Sequence, residues 1–260
     1  MSYYTIKQIN PWLYSIYDPM DVYCYLLVGE ESALLYDTGY GIAPLEEAIR
    51  QVCNLPLIVV LGHGHIDHAN GAYQFNEAWI HPDDLELCLR HTSRTARRNI
   101  VGDMDNSKPE CFNDEQYINA GSGNLKHLTI GQIFDLGNLH VEIVAMEGHT
   151  AGSVGLLVHE HQVLIDSDAA SPHVWMFLNE ILPMNVYIDM LERVSQMNFD
   201  TFFIGHSDTP RPKSDFKKYI NVARNITLEK STPYDSMSEL GGLLYQEGDA
   251  AIVFNPEKLP

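Results

Sequence analysis

The chain has 260 residues, of which 45% are hydrophobic, so it is long enough to bury one large core or two small ones. Its 35 acidic residues outnumber the 16 basic ones and give a formal net charge of −19. A surface this acidic repels phosphate backbones and anionic lipid, so we expect no nucleic-acid partner and no membrane partner.

The N-terminal sequence predicts a cytoplasmic location. Residues 1–7 lack the basic start and the apolar run that a secretory signal requires. No apolar stretch reaches the ~18 residues that are needed to span a bilayer. The four cysteines are widely spaced and form no C-x-x-C pair, which favours reduced, structural thiols.

Short apolar runs bounded by turn residues predict strands in the first half of the chain. These runs cover residues 12–17, 23–28, 33–36, 56–61 and 78–80. Apolar residues at helical spacing predict helices over 43–52, directly after His68, and from Pro82 onward. A predicted strand, a helix and a second strand therefore precede His63.

Residues 91–127 lose this periodicity and are mostly polar. The stretch is long for a plain connection, which is typical of an active-site flap or a helical insertion; a solvated excursion without a role in binding is the alternative. It contains Arg94, Arg97 and Arg98. These side chains either meet an anionic group of a substrate or, more simply, lie on a solvated helix face.

The second half of the chain repeats the order of the first. Strands are predicted over 140–145, 154–158, 162–165 and 201–204, helices over 186–197 and 213–226, and a terminal turn and strand over 243–254. No linker rich in Pro, Gly or Ser separates the halves. We therefore expect a single domain, residues 1–260, that is built from two similar α/β halves.

The segment that follows the strand at 56–61 reads Gly-His-Gly-His-Ile-Asp-His and ends at His68. Neutral imidazole and carboxylate together suit zinc or another divalent first-row metal. In an extended loop, residues two apart point the same way, so His63 and His65 can hold one ion while Asp67 and His68 turn toward a neighbouring position. Each ion still needs ligands from elsewhere in the chain.

Three further candidate ligands follow predicted strands. They are His149 after 140–145, Asp168 after 162–165 and His206 after 201–204. Open sheet folds place their sites at such strand ends. Asp166 competes with Asp168 for the same role.

The order H-x-H-x-D-H, then His, Asp and His, resembles the metallo-β-lactamase superfamily, from about Val22 to His206. The resemblance implies an αββα sandwich with its metal site at the strand ends. It also implies that His63, His65 and His149 form one metal site, that Asp67, His68 and His206 form a second, and that Asp168 bridges them. Ser167-Asp168 aligns with a Gly-Asp pair of the family, with Ser in place of Gly. Asp37 matches a family position that supports the ligand loop from behind.

Two such ions, zinc by preference with iron or manganese as alternatives, would hold a bridging hydroxide as the nucleophile. Asp67, besides being a ligand, is the candidate to accept a proton from it or to pass one to the leaving group. We therefore expect a hydrolase of a small-molecule ester, thioester, lactone or amide. The alternatives are a phosphodiesterase or nuclease of the same superfamily and an iron-dependent oxidoreductase with the same ligands.

His173, Trp175 and Phe177 follow Asp168 closely and are candidates for lining a substrate pocket. Such an aromatic stripe is also typical of a core or a subunit interface, so a homodimer is an open alternative. The remaining histidines, among them His91, are expected to be surface or hydrogen-bonded residues rather than ligands.

Overall fold

A computed structural model of the chain describes residues 2–104, 108–234 and 241–259. Its first sheet has seven strands in sequence order, antiparallel from β1 to β4 and parallel from β4 to β7. The strands are β1 Thr5–Asn10, β2 Leu13–Asp18, β3 Val22–Val28, β4 Ala33–Tyr36, β5 Leu57–Val60, β6 Ala78–Ile80 and β7 Leu125–His127.

The second sheet has six strands in the order β14-β13-β11-β10-β9-β8. They are β8 Ile133–Asp135, β9 His140–Ala145, β10 Val154–Val158, β11 Val163–Asp166, β13 Thr201–Ile204 and β14 Ser207–Pro212. A third sheet has the order β12-β17-β16-β15. Its strands are β12 His173–Met176, β15 Thr232–Tyr234, β16 Gly242–Glu247 and β17 Ala250–Phe254.

Seven α-helices lie between these strands in the described residues. They are α1 Leu45–Arg50, α2 Ile66–Ala69, α3 Leu85–His91, α4 Arg94–Asp103, α5 Asp114–Asn119, α6 Met184–Ser195 and α7 Asp215–Arg224. None of the described helices has the length and apolar character needed to cross a membrane.

The central core lies between the first two sheets. Leu27 and Tyr36 from the first sheet belong to the same buried cluster as Ile143 and Leu156 from the second. Because both faces of β4 and β10 are covered, these strands are apolar at every position instead of alternating. This explains why continuous apolar runs in the sequence marked the central strands correctly.

Helices cover the outer face of each sheet. Leu45 and Ile49 of α1 pack in the core behind the first sheet. Tyr187 of α6 and Phe216 of α7 pack in a core that the second and third sheets share. The αββα sandwich expected from the sequence is therefore confirmed, and the third sheet is an addition that the sequence analysis did not separate from the second half.

Residues 91–127 contain α4, α5 and the edge strand β7. The expectation of a solvated face is wrong for Arg97, whose side chain is fully buried, whereas Arg94 and Arg98 are exposed. Its guanidinium lies between the rings of Tyr73 and Tyr117, 4.8 and 4.7 Å from their centroids. It also donates to the backbone oxygens of Asn70, Gly121 and Thr92. Arg97 thus ties the insertion to the loop that follows His68; a role of this insertion as a flap stays a prediction.

Candidate metal centre

The strand ends bring the seven predicted ligands into two adjacent groups. The three-histidine site contains His63, His65 and His149, and the mixed site contains Asp67, His68, Asp168 and His206. Within each group, one candidate ligand atom per residue lies within 4.8 Å of the others. Asp168, and not its rival Asp166, belongs to these groups.

In the three-histidine site, the nitrogens converge on one point. His63 Nε2 and His149 Nε2 each lie 3.0 Å from His65 Nδ1. Burial, together with the neighbouring imidazoles, holds the pKa of His63 well below its usual value and lowers that of His149 to about 4. These two imidazoles are therefore neutral at pH 7, which is the form that binds a metal.

In the mixed site, carboxylates and imidazoles face one another. Asp168 Oδ2 lies 3.4 Å from His68 Nε2 and 3.3 Å from His206 Nε2, and Asp67 Oδ2 lies 3.3 Å from His68 Nε2. The charge of Asp168 raises the pKa of His206 to about 9. Burial opposes both the protonation of His68 and the ionisation of Asp67, yet their mutual attraction raises the first pKa and lowers the second.

Asp168 joins the two groups. Its Oδ2 lies 3.9 Å from His149 Nε2, besides its contacts to His68 and His206 in the mixed site. Gly205 permits this approach, because a Cβ there would lie 2.6 Å from Asp168 Oδ1 and 2.7 Å from His68 Cε1. A side chain at position 205 would therefore displace two of the candidate ligands.

Each histidine is oriented by a partner at its outer nitrogen. His63 Nδ1 lies 3.2 Å from Ser167 Oγ, and His149 Nδ1 donates to Trp175 O at 2.7 Å. His206 Nδ1 donates to Asp21 O at 2.6 Å. Such contacts fix which nitrogen carries the proton and which presents its lone pair to the centre.

Asp37 supports the mixed site from behind. Its Oδ2 lies 2.8 Å from His68 Nδ1, and its Oδ1 accepts a hydrogen bond from the backbone N–H of Gly62 at 2.6 Å. Asp37 has a φ of 64°, a left-handed conformation that is uncommon for a residue with a Cβ. This strained backbone conformation directs the Asp37 carboxylate toward the ligand loop.

Asp84, which the sequence analysis did not single out, supports the three-histidine site. Its buried carboxylate accepts hydrogen bonds from the backbone N–H groups of Gly64 at 2.8 Å and Gly152 at 2.7 Å, and from the hydroxyl of Thr150 at 2.7 Å. Gly64 lies between His63 and His65, and Thr150 follows His149. One carboxylate therefore ties together the two loops that supply this site.

Two further residues, Glu180 and His91, lie beside His65. Glu180 Oε1 lies 2.6 Å from His65 Nε2. Burial opposes the ionisation of Glu180, but the hydrogen bond from His65 lowers its pKa to about 2. The ring of His91, which is half-buried, stacks on that of His65 at 5.1 Å, so His91 borders the site.

The candidate pocket residues form one aromatic cluster. Trp175 and Phe177 have ring centroids 5.5 Å apart, and both rings contact Tyr234 of the third sheet. His173 contacts the same tyrosine. Because Trp175 also holds His149 through its backbone oxygen, the cluster lies on the side of the three-histidine site.

The donor atoms fit divalent metal ions. His68 Nε2 faces the carboxylates of Asp67 and Asp168 at 3.3 and 3.4 Å without a well-formed hydrogen bond, and Asp168 Oδ1 is buried and makes no hydrogen bond in the described structure. A buried polar atom without a partner is costly, and a bound cation would satisfy both of these atoms. Imidazole nitrogens and carboxylate oxygens in groups of three and four are the ligands that zinc and similar ions take.

The chain is similar to known proteins of one superfamily. The sequence profile of the metallo-β-lactamase superfamily matches residues 17–206. The acyl-coenzyme A thioesterase MBLAC2 of Gallus gallus is 25% identical over 155 residues, which cover 55% of this chain and 56% of that protein. The hydroxyacylglutathione hydrolase GloC of Haemophilus influenzae is 26% identical over 148 residues, covering 54% of this chain and 61% of that protein.

The chain thus spans little more than half the length of these curated relatives. Among solved structures, a metallo-β-lactamase from Pontibacter korlensis superposes with a TM-score of 0.59 at 14% sequence identity. That match covers 86% of this chain and 100% of the other. At 14% sequence identity, this structural similarity is evidence for the fold alone.

Proposed function

The chain belongs to the metallo-β-lactamase superfamily, and from that premise we propose that it is a dinuclear, metal-dependent hydrolase of a small-molecule ester, thioester, lactone or amide. One observation carries the proposal. Asp168 Oδ2 lies between the two groups of candidate ligands, within 3.4 Å of two imidazoles in the mixed site and 3.9 Å from His149 Nε2. A carboxylate in this position can serve ions on both sides.

The proposal assigns each ion its ligands. His63, His65 and His149 hold one, and Asp67, His68 and His206 hold the other, with Asp168 contributing to both. We propose zinc, because this donor set of neutral imidazole and carboxylate suits it, with iron and manganese as the competing identities. Two bound ions would supply Lewis acidity, which lowers the pKa of a water to about 7 and polarises the oxygen of the substrate carbonyl.

The chain's own residues then orient the reactants and move the proton. Asp67 is ionised, since His68 lies 3.3 Å away and lowers its pKa, and we propose that its carboxylate takes up a proton transiently and passes it to the leaving group. Asp37 and Asp84 hold the ligand loops in place from both sides. Trp175, Phe177 and His173 are proposed to line the substrate's position and to exclude water from it.

Thioesters are the first substrates to test. Two of the relatives carry the names acyl-coenzyme A thioesterase and hydroxyacylglutathione hydrolase, and both names denote hydrolases. No nucleophilic side chain is needed for such a reaction. The proposed partner is a small molecule, in line with the acyl-coenzyme A and hydroxyacylglutathione that the names of these relatives give.

The test is a panel of thioesters, lactones, β-lactams and phosphodiesters. It compares the unchanged chain with Asp67→Ala and with Asp83→Ala, a matched control whose carboxylate is 65% exposed and outside both sites. We expect turnover of at least one thioester or lactone, lost in Asp67→Ala and kept in Asp83→Ala. Equal rates for all three proteins on every substrate would contradict the proposal, and turnover of phosphodiesters alone would replace it with the phosphodiesterase alternative.

A further inference from the structure

Residues 175–182, which comprise the end of β12 and the segment after it, contact the three-histidine site at three points. Trp175 O accepts the hydrogen bond from His149 Nδ1, and Glu180 Oε1 accepts one from His65 Nε2. The backbone N–H of Leu182 donates to the oxygen of Gly148 at 2.8 Å. We call residues 175–182 the outer bracket.

Glu180 differs from the other contacts of this site because it brings a full negative charge to a ligand's outer nitrogen. His63 has a hydroxyl there and His149 has a backbone carbonyl. A carboxylate at Nε2 places the imidazole proton on that nitrogen and leaves the Nδ1 lone pair facing His63 and His149. The charge also makes Nδ1 a stronger electron donor toward a metal.

The C-terminal residues hold the outer bracket in position. Lys258 Nζ donates to the backbone oxygens of Asn179 and Ile181, at 2.9 and 2.6 Å, on either side of Glu180. The bracket's first residues belong to β12, which pairs in parallel with β17. Both β17 and Lys258 lie beyond residues 17–206, the part of the chain that the superfamily profile matches.

We propose that Glu180 is a positioning residue for His65, and that the C-terminal strand and Lys258 hold it there. The inference rests on the proposed function, because it needs a metal in the three-histidine site. The alternative is that Glu180, His65 and His91 hold an additional ion, since their ligand atoms lie within 4.8 Å of one another. Two donors on one tetrahedral zinc lie roughly 3.3 Å apart, so the 2.6 Å between Glu180 and His65 favours a hydrogen bond.

The test measures zinc affinity by chelator competition in Glu180→Ala, Glu180→Gln and Lys258→Met. A matched control is Glu160→Gln, which removes a carboxylate that lies at the same 2.6 Å from a histidine nitrogen, that of His140, outside both sites. Loss of an outer partner typically weakens metal binding about 10- to 100-fold, and we expect this range for Glu180→Ala. We expect a smaller loss for Glu180→Gln, which keeps an acceptor oxygen, a smaller loss also for Lys258→Met, and none for Glu160→Gln.

A second readout separates positioning from a general loss of structure. With cobalt in place of zinc, the visible absorption spectrum should change in Glu180→Ala and stay unchanged in Glu160→Gln, because only the first alters a ligand's environment. Circular dichroism of the metal-free proteins checks folding. If Glu180→Ala does not fold, the near-isosteric Glu180→Gln carries the comparison.

Three results would overturn the proposal. The first is a zinc affinity and a cobalt spectrum in both Glu180 variants that equal those of the unchanged chain. The second is an equal loss of affinity in Glu160→Gln, which would trace the effect to net charge. The third is one additional bound ion that disappears with Glu180. An unchanged chain that binds no metal would instead refute the proposed function itself.

Discussion

The three-histidine site and the mixed site share Asp168 but hold their protons differently. In the first, burial lowers the pKa of His149 to about 4, whereas in the second the charge of Asp168 raises the pKa of His206 to about 9. In the first site the imidazoles of His63 and His149 are therefore neutral, whereas in the second the imidazoles of His68 and His206 carry protons beside carboxylates. The difference teaches that a metal would meet no proton competition at His63 and His149, whereas it would have to displace protons from His68 and His206.

Removing the residue that the two sites share should have the largest effect. We expect Asp168→Ala to lower kcat/KM by more than about 100-fold, the upper end of the range for residues that only support a ligand. Steady-state kinetics on the substrate identified by the panel checks this, with Asp83→Ala as the control. Retention of full activity would mean that Asp168 does not join the sites.

The pH dependence of metal binding should then separate the two sites. In His149→Ala, which keeps the mixed site, affinity should fall as the pH drops from 8 to 6. Raised pKa values keep His68 and His206 protonated there, and each proton displaced costs about tenfold per pH unit. In His206→Ala, which keeps the three-histidine site, the pKa of His149 near 4 predicts a much flatter profile over the same range.

Calorimetric titration with zinc in buffers of different ionisation enthalpy counts the protons released. More protons should leave His149→Ala than His206→Ala. Equal proton release in both variants, with equal pH profiles, would remove the distinction between the sites.

Asp84→Asn should destabilise the two loops that supply the three-histidine site, and with them the fold. The Asn side chain has an acceptor oxygen at one position and a donor NH2 group at the other. At least one of the buried donors of Gly64, Thr150 and Gly152 therefore loses its acceptor. We expect the free energy of unfolding to fall by about 2–3 kcal/mol, the scale of a hydrogen bond to a charged group. Urea unfolding of the metal-free protein measures it, and the exposed Asp83→Asn should stay within about 0.5 kcal/mol of the unchanged chain.

The smallest effect is expected at the aromatic cluster beside the three-histidine site. Trp175→Leu keeps the backbone oxygen that holds His149, so the metal content should not change. If the indole lines the substrate's position, KM should rise by about three- to tenfold, equivalent to one aromatic contact. An unchanged KM would assign Trp175 to packing against Phe177 and Tyr234.

The sequence located the candidate ligands because each one follows an apolar run that became a central strand. His149, Asp168 and His206 come after β9, β11 and β13; β11 is buried at every position and β13 at three of four, whereas β9 alternates in part and is exposed at His140. Glu180 and Asp84 carry no such signal. Acidic residues are common in this chain, and the partners of these two are fixed by loops that meet only in the folded protein.

Arg97 is a second case in which the sequence did not predict the environment of a residue. An arginine in a polar stretch is usually solvated, but here two tyrosines and three backbone oxygens replace water around it. The third sheet was merged with the second half because β12 and β17 are distant in the sequence and pair in parallel. Such long-range pairing leaves no local pattern.

Metal analysis of the chain, purified without added metal, tests the central claim most directly. We predict about two zinc ions per chain for the unchanged protein, falling to about one in His149→Ala and in His206→Ala. One ion per chain in the unchanged protein, or iron accompanied by visible absorption, would contradict the proposal that the chain is a dinuclear zinc hydrolase.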